Sequence, residues 1–219
     1  MKLESVVLDD EGDGRVDFEF ADPSESESTA ALLAIGAGPV WNEWFHDAGF
    51  AVACLPAGAP DVSNRVRLAE LTRVLRWLED HPSVDEDLVG VVGFGTGGTE
   101  AYLLGCHTGG IAAVVDYGGP LVYPELDAKR PMQPLEMALN LSAPLQVVFG
   151  GDDADLDGHL EDLQRTLDQF MKRSDVVRVP GATPDFFDAA RSGYDEGAAR
   201  NALERTLAFL RSELDLESA

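Results

Sequence analysis

Val89-Gly90-Val91-Val92-Gly93-Phe94-Gly95-Thr96-Gly97-Gly98 is the stretch on which the fold of this chain turns. Its first half is mostly β-branched and apolar, as in a strand buried on both faces. Its second half is a run of small residues, as where a strand turns sharply into a helix packed close against it. Two motifs fit the turn. In a nucleophile elbow, small residues flank a reacting side chain on a strained strand-to-helix turn; Gly93 and Gly97 take the flanking places and Gly95 the centre. In a dinucleotide fingerprint, G-x-G-x-x-G is met by Gly93, Gly95 and Gly98, and Asp116 lies about 20 residues on, where an acid would hold a ribose. The fingerprint normally opens the first strand–helix unit, whereas here two apolar runs and a helix come first.

Outward from the turn the pattern repeats. Thr29–Ile35, Phe50–Leu55, Ile111–Asp116 and Leu145–Phe149 are further apolar runs, and Val176–Val179 is a shorter one. Ser5–Leu8 and Arg15–Phe20 read as edge strands joined by the turn-rich Asp9–Gly14. Between the runs lie helical stripes. One holds Leu71, Val74, Leu75 and Leu78 and is stopped by Pro82. Leu156, Leu160, Leu163, Leu167 and Phe170 make another; Leu203, Leu207, Leu210 and Leu214 make the last, and a short helix is expected over Trp41–Ala48. Strands alternating with helices predict an α/β fold in one domain over residues 1–219: a mostly parallel central sheet with helices on both faces. Ligands of such sheets sit at the carboxyl ends of the strands, which directs attention to the Gly93–Gly98 turn.

Forty acids stand against sixteen bases, only three of them lysines, for a formal net charge of −24. A chain so charged repels nucleic acid and anionic membranes. The acids are spread along the chain rather than gathered in a tail, which suits a halophile, where they keep a protein hydrated in a salty cytoplasm. No run of about 18 apolar residues exists to span a membrane, and Met1-Lys2-Leu3-Glu4 lacks the apolar stretch of a signal peptide. A cytoplasmic location is expected. Cys54 and Cys106, each in an apolar stretch, make neither a disulfide framework nor a metal cluster.

Several blocks in order carry a family likeness. They are Leu75-Arg76-Trp77-Leu78, His81-Pro82-Ser83-Val84-Asp85 and the strand into Gly93–Gly98; then Val115-Asp116-Tyr117-Gly118-Gly119-Pro120; then Ala143–Gly150; then Val179-Pro180-Gly181-Ala182, Tyr194 and the helix Ala198–Leu214. From about Thr29 onward the chain resembles the dienelactone hydrolase family. The resemblance implies an α/β-hydrolase fold and a triad of nucleophile, acid and histidine. Its nucleophile position is Gly95, where the family has Cys or Ser. Its acid position is best matched by Asp153, with Asp152 beside it. Its histidine position, in a Gly-Ala-x-His-x-Phe pattern, is Pro184, and no histidine follows His159. Thr96 would offer its backbone N–H as an oxyanion donor, its side chain facing the helix. The loops Gly36–Val40 and Pro56–Pro60, which in the family complete and cover the pocket, are short.

The expectation is therefore a protein of this fold whose catalytic site is dismantled. It would lack standard hydrolase activity, use no cofactor, and bind a small acyl or carboxylate ligand or another protein. One alternative is a carboxylic-ester hydrolase using Thr96 with Asp153; the other is nucleotide binding through Gly93–Gly98 and Asp116. A second constellation, Asp153-Ala154-Asp155-Leu156-Asp157-Gly158, matches the first half of a calcium loop, but its twelfth position is Gln164 rather than Glu. Acids opening a helix explain the same pattern, so no metal is expected at Asp153, Asp155 and Asp157. Trp41, Trp44 and Phe45 are expected to pack on the sheet, and His46, His81, His107 and His159 to lie on the surface or at helix ends.

Overall fold

The computed structural model describes residues 1–10, 14–23, 28–151 and 154–214, without the side chains of residues 10 and 154–157. Eight strands form one sheet: β1 (Glu4–Asp10), β2 (Gly14–Ala21), β3 (Thr29–Ile35), β4 (Ala51–Leu55), β5 (Val84–Phe94), β6 (Ala113–Tyr117), β7 (Leu145–Gly150) and β8 (Ser174–Val179). Their order is β1-β2-β4-β3-β5-β6-β7-β8. β1 and β2 form an antiparallel hairpin at one edge, β2 joins β4 antiparallel, and every later pairing is parallel. Among the described residues five α-helices cover it: α1 (Pro39–Asp47), α2 (Asn64–Glu79), α3 (Thr96–His107), α4 (Ala154–Gln169) and α5 (Glu196–Glu213). This is the α/β-hydrolase arrangement.

The apolar runs become central strands because both of their faces are covered. Leu33 and Ile35 of β3 pack with α2, α3 and α4, while Leu32 and Ala34 turn to α1 and α5, as the period of two in a strand requires. Helix ends follow local chemistry. The Ser63 hydroxyl accepts from Val66 N–H at α2, and Asp195 Oδ1 accepts from Ala198 N–H at α5. Pro39 stands in the first turn of α1, so the helix starts two residues before the expected Trp41. Trp41 and Phe45 are buried, and half-buried Trp44 lies beneath the Arg200 guanidinium at 4.6 Å, so this group packs rather than forming an open patch.

Two elements differ from the sequence expectation. β5 begins at Val84, not Leu88, because backbone pairing with Thr29 carries the strand through the polar Asp85-Glu86-Asp87. A 3-10 helix, Pro134–Asn140, stands where no helical stripe marks it; reciprocal bonds between Gln133 and Glu136 cap it. Among the described residues no helix is long and apolar enough to cross a membrane.

Candidate functional site

β5 ends at Phe94 and α3 opens at Thr96, leaving Gly95 as the apex of the turn with φ 56° and ψ −125°. Its N–H donates to Tyr117 C=O on β6 at 2.8 Å, and its own C=O accepts from Gly98 N–H at 2.9 Å. The neighbouring glycines are sterically required. A Cβ at Gly93 would lie 1.9 Å from Gly97 O, one at Gly97 2.4 Å from Ile35 O, and one at Gly98 2.1 Å from Asp116 Oδ1. Gly95 is different: a Cβ there would meet nothing within 4 Å. The turn has the elbow's backbone, and the place for its central side chain is open.

That open place faces a 360 Å³ cleft whose lining includes Gly95, Thr96, Trp41, Asp185, Phe187 and Tyr194. A second hollow of 280 Å³ lies on the other side of Thr96, with Leu68, Leu103, Pro120, Tyr123 and Arg130 in its wall. Thr96 lines both and is exposed, which corrects the expectation that its side chain faces the helix: as the first residue of α3 it stands at the outer rim of the turn. Its N–H is among the first four of the helix, which have no acceptor within it, so it sits at the positive end of the helix dipole. The cleft's outer wall is loop 181–195. Trp41 Nε1–H donates to Phe187 C=O at 2.8 Å, and the Thr183 hydroxyl donates to Gly193 C=O at 2.9 Å, tying that loop to α1 and to itself. The hollow's wall is set by an ion pair. Arg67 Nε donates to Glu100 Oε2 at 2.8 Å, and Glu100 Oε1 accepts from Gly58 N–H at 2.8 Å, which pins the short loop after β4.

Pro184 is exposed on loop 181–195 and lines neither space. None of the four histidines lines them either. His81 packs against Trp77 and Phe20 and shares a hydrogen bond with Ser83. His46 is in the last turn of α1, and His107 ends α3, about 16 Å along the helix from Thr96. His159 is on α4. Neither cysteine can stand in as nucleophile: Cys54 and Cys106 are buried away from the cleft, and burial pushes both thiols up to about 12. Asp152 and Asp153 lie outside the described residues, as do the side chains of Asp155 and Asp157, so neither the triad acid nor the calcium reading is placed.

Asp116 is placed, and its location corrects the nucleotide reading. It sits on β6 opposite Gly93, fully buried beneath Gly98. Its Oδ1 accepts from Gly119 N–H at 2.7 Å, and its Oδ2 has no partner among the described residues. Burial pushes the carboxyl up to about 7 against the pull of the Gly119 N–H. A ribose cannot reach a carboxylate enclosed between strand and helix. Gly93 and Gly98 serve close packing rather than approach to a pyrophosphate. The residues that sequence reasoning missed are those of the hollow and the loop wall, Tyr123, Arg130 and Asp185. They lie on irregular segments, and no spacing marks them.

Comparison with known proteins agrees with this geometry. The family model of the "Dienelactone hydrolase family" matches residues 59–214. A Bradyrhizobium protein named "Probable 2-oxo-3-(5-oxofuran-2-ylidene)propanoate lactonase" is 30% identical over 173 residues, which is 73% of this chain and 69% of that protein. A Salmonella typhimurium protein named "Putative carboxymethylenebutenolidase" is 28% identical over 74% of this chain and 59% of its own length. This chain thus spans roughly three-fifths to two-thirds of these relatives. The crystal structure of a "Putative Dienelactone Hydrolase" from Klebsiella pneumoniae superposes with a TM-score of 0.82 at 20% identity, covering 96% of this chain and 99% of that one. The elbow, the strand order and the matched residues lead to one conclusion: the chain belongs to the dienelactone hydrolase family.

Proposed function

We propose that this family member holds a small acyl ligand in the cleft over Gly95 and does not hydrolyse it through a covalent intermediate. One observation carries the reading: the elbow points an open space, not a nucleophile, into a cleft whose lining includes no histidine and no cysteine. The relatives' names place them among lactone hydrolases, whose chemistry needs an attacking group and a base to activate it. What this cleft keeps is the other half of such a site, a helix N-terminus at Thr96 and an enclosed space. That half binds a carbonyl and does not attack it. Removing triad members costs about 10⁴–10⁶-fold in rate.

The test is hydrolysis of p-nitrophenyl acetate. The wild-type protein is expected to release p-nitrophenol at the buffer rate. Gly95→Ser places an attacking hydroxyl in the open space with no histidine lining the cleft to activate it, and is expected to give no acyl-enzyme burst. Steady wild-type turnover, abolished by Thr96→Ala or Asp153→Asn, overturns the reading in favour of a hydrolase with non-standard groups. The acidic surface is read as an adaptation to salt, so the melting temperature should rise with KCl as screening relieves repulsion among the forty acids.

A further inference from the structure

We propose that the turn closing α4 is a twofold docking surface for a second copy of this chain, with Phe170 and Met171 at its centre and Lys172 of each copy against Asp168 of the other. The turn leads into the start of β8, whereas the elbow lies where β5 ends, and these strands are parallel, so the surface is at the other end of the sheet from the cleft. The backbone supplies the first observation. α4 closes in a Schellman motif: Met171 N–H donates to Asp168 C=O at 3.1 Å, and Lys172 N–H reaches back to Leu167 C=O at 2.8 Å. This puts Met171 at φ 52°, and among the described residues it is the one non-glycine residue with a positive φ. The position ordinarily holds Gly or Asn, because a Cβ is crowded there. Here it holds a long apolar side chain that is 90% exposed, beside Phe170 at 44%. A strained backbone thus presents an apolar side chain to water, a combination that burial against a partner relieves.

The charges beside this apolar pair decide the partner. Lys172 is one of three lysines in the chain, and among the described residues it makes no ion pair. It stands on the rim of a 390 Å³ hollow together with Arg173 and the carboxylates of Asp168, Asp175 and Glu213. Arg173 is spent on Glu213 Oε1 at 2.6 Å. Glu213 is 8% exposed, and its other oxygen, Oε2, has no donor among the described residues. An unpaired ammonium and surplus carboxylates thus lie side by side. Such a patch complements itself when turned about a twofold axis: each Lys172 meets the other copy's Asp168, while the apolar pairs cover one another at the axis. A wholly anionic partner would meet the three carboxylates, and a wholly cationic one would meet Lys172. A net charge of −24 on each copy opposes association in dilute salt, but molar salt screens that repulsion within about 3 Å and leaves apolar contact intact. Two apolar residues a side, with their charged rim, bury far less than the roughly 1,200–2,000 Å² of a stable interface, so the dimer is weak and reversible.

Sedimentation velocity of the whole protein in molar KCl, from about 5 to about 500 µM, is the test. The wild type is expected to pass from monomer towards dimer across this range. Met171→Gly suits the backbone of the turn, so it should fold at least as well as wild type and weaken the dimer at least about tenfold. Lys172→Glu and Asp168→Lys each set like charges across the axis, and each alone is expected to stay monomeric. Mixed in equal amounts, the two variants bring opposite charges together at both symmetry-related contacts, and a heterodimer within about threefold of wild-type strength should form. A wild type that is monomeric at about 500 µM overturns the inference, as does a dimer that Met171→Gly leaves intact. A mixture that stays monomeric overturns it too, because the surface then does not pair Lys172 with Asp168. Growth beyond a dimer would mean head-to-tail contact and overturns the twofold arrangement.

Discussion

The two sides of one turn have been held to different standards. On the side facing the sheet, Gly93, Gly97 and Gly98 sit so close to Gly97 O, Ile35 O and Asp116 Oδ1 that no Cβ fits. On the side facing the cleft, Gly95 keeps the elbow's positive φ and looks into empty space. Packing is enforced by repulsion at van der Waals contact, so any change on the inner side is felt by the whole fold. A reacting side chain is enforced only by its reaction. The strained backbone at Gly95 costs a glycine nothing, so the shape of the elbow persists without a nucleophile on it.

The largest effect is expected on the inner side. Gly97→Ala pushes a methyl against the backbone of Ile35, which is fixed in the middle of the sheet between β4 and β5. Strand and helix must part, and the loss should exceed about 4 kcal/mol, the range reserved for such clashes. Equilibrium unfolding in urea at molar KCl checks it. A variant as stable as wild type would remove the inner side's claim to be packing-limited.

Asp116 tests the same inner side by charge. Its carboxyl is raised from 3.8 to about 7 in the folded protein, because the charged form is buried with one oxygen unpaired. Between those values the native state keeps a proton that the unfolded chain has released. The contribution is therefore fully present below pH about 4 and is lost as pH rises through about 7, an effect of at most about 4 kcal/mol. Asp116→Asn keeps an acceptor for Gly119 N–H and cannot ionise. The wild-type minus variant difference in unfolding free energy should fall across this window. A difference that stays flat from pH 4 to 8 would mean that water reaches the carboxylate, which would reopen the cleft side of the comparison to Asp116.

How much of this was legible follows the same division. β3 was readable to the residue because both of its faces are covered, so that after Thr29 it is apolar from Ala30 to Ile35. The start of β5 was not, since only Val84 pairs with β3 before a register shift after which pairing resumes at Val89, and the polar Asp85-Glu86-Asp87 between them carry no apolar signal. The elbow's glycines stood out in the sequence, but their purpose did not. Spacing alone makes Asp116 an acid about 20 residues past a glycine turn; only the fold shows it lodged under Gly98 instead of facing a ligand. Tyr123, Arg130 and Asp185 belong to segments 119–130 and 181–195, where position is set by tertiary bonds such as Trp41 Nε1–H to Phe187 C=O. No periodicity records such bonds.

The smallest stability effect should come from the outer side, and it separates strain from packing. Gly95→Ala introduces a methyl that meets no atom within 4 Å, so overpacking contributes nothing. What remains is the backbone: φ 56° with ψ −125° is a region that L-residues occupy at a cost of about 1–3 kcal/mol. The variant should therefore fold with a modest loss read from urea unfolding, well below the loss expected of Gly97→Ala two residues away. If Gly95→Ala is as damaging as Gly97→Ala, the space above the apex is not open, and a nucleophile could never have stood there in this backbone. If it is tolerated as expected, the elbow can still accept a side chain, and the absence of a nucleophile at its apex lies in the residue and not in the fold.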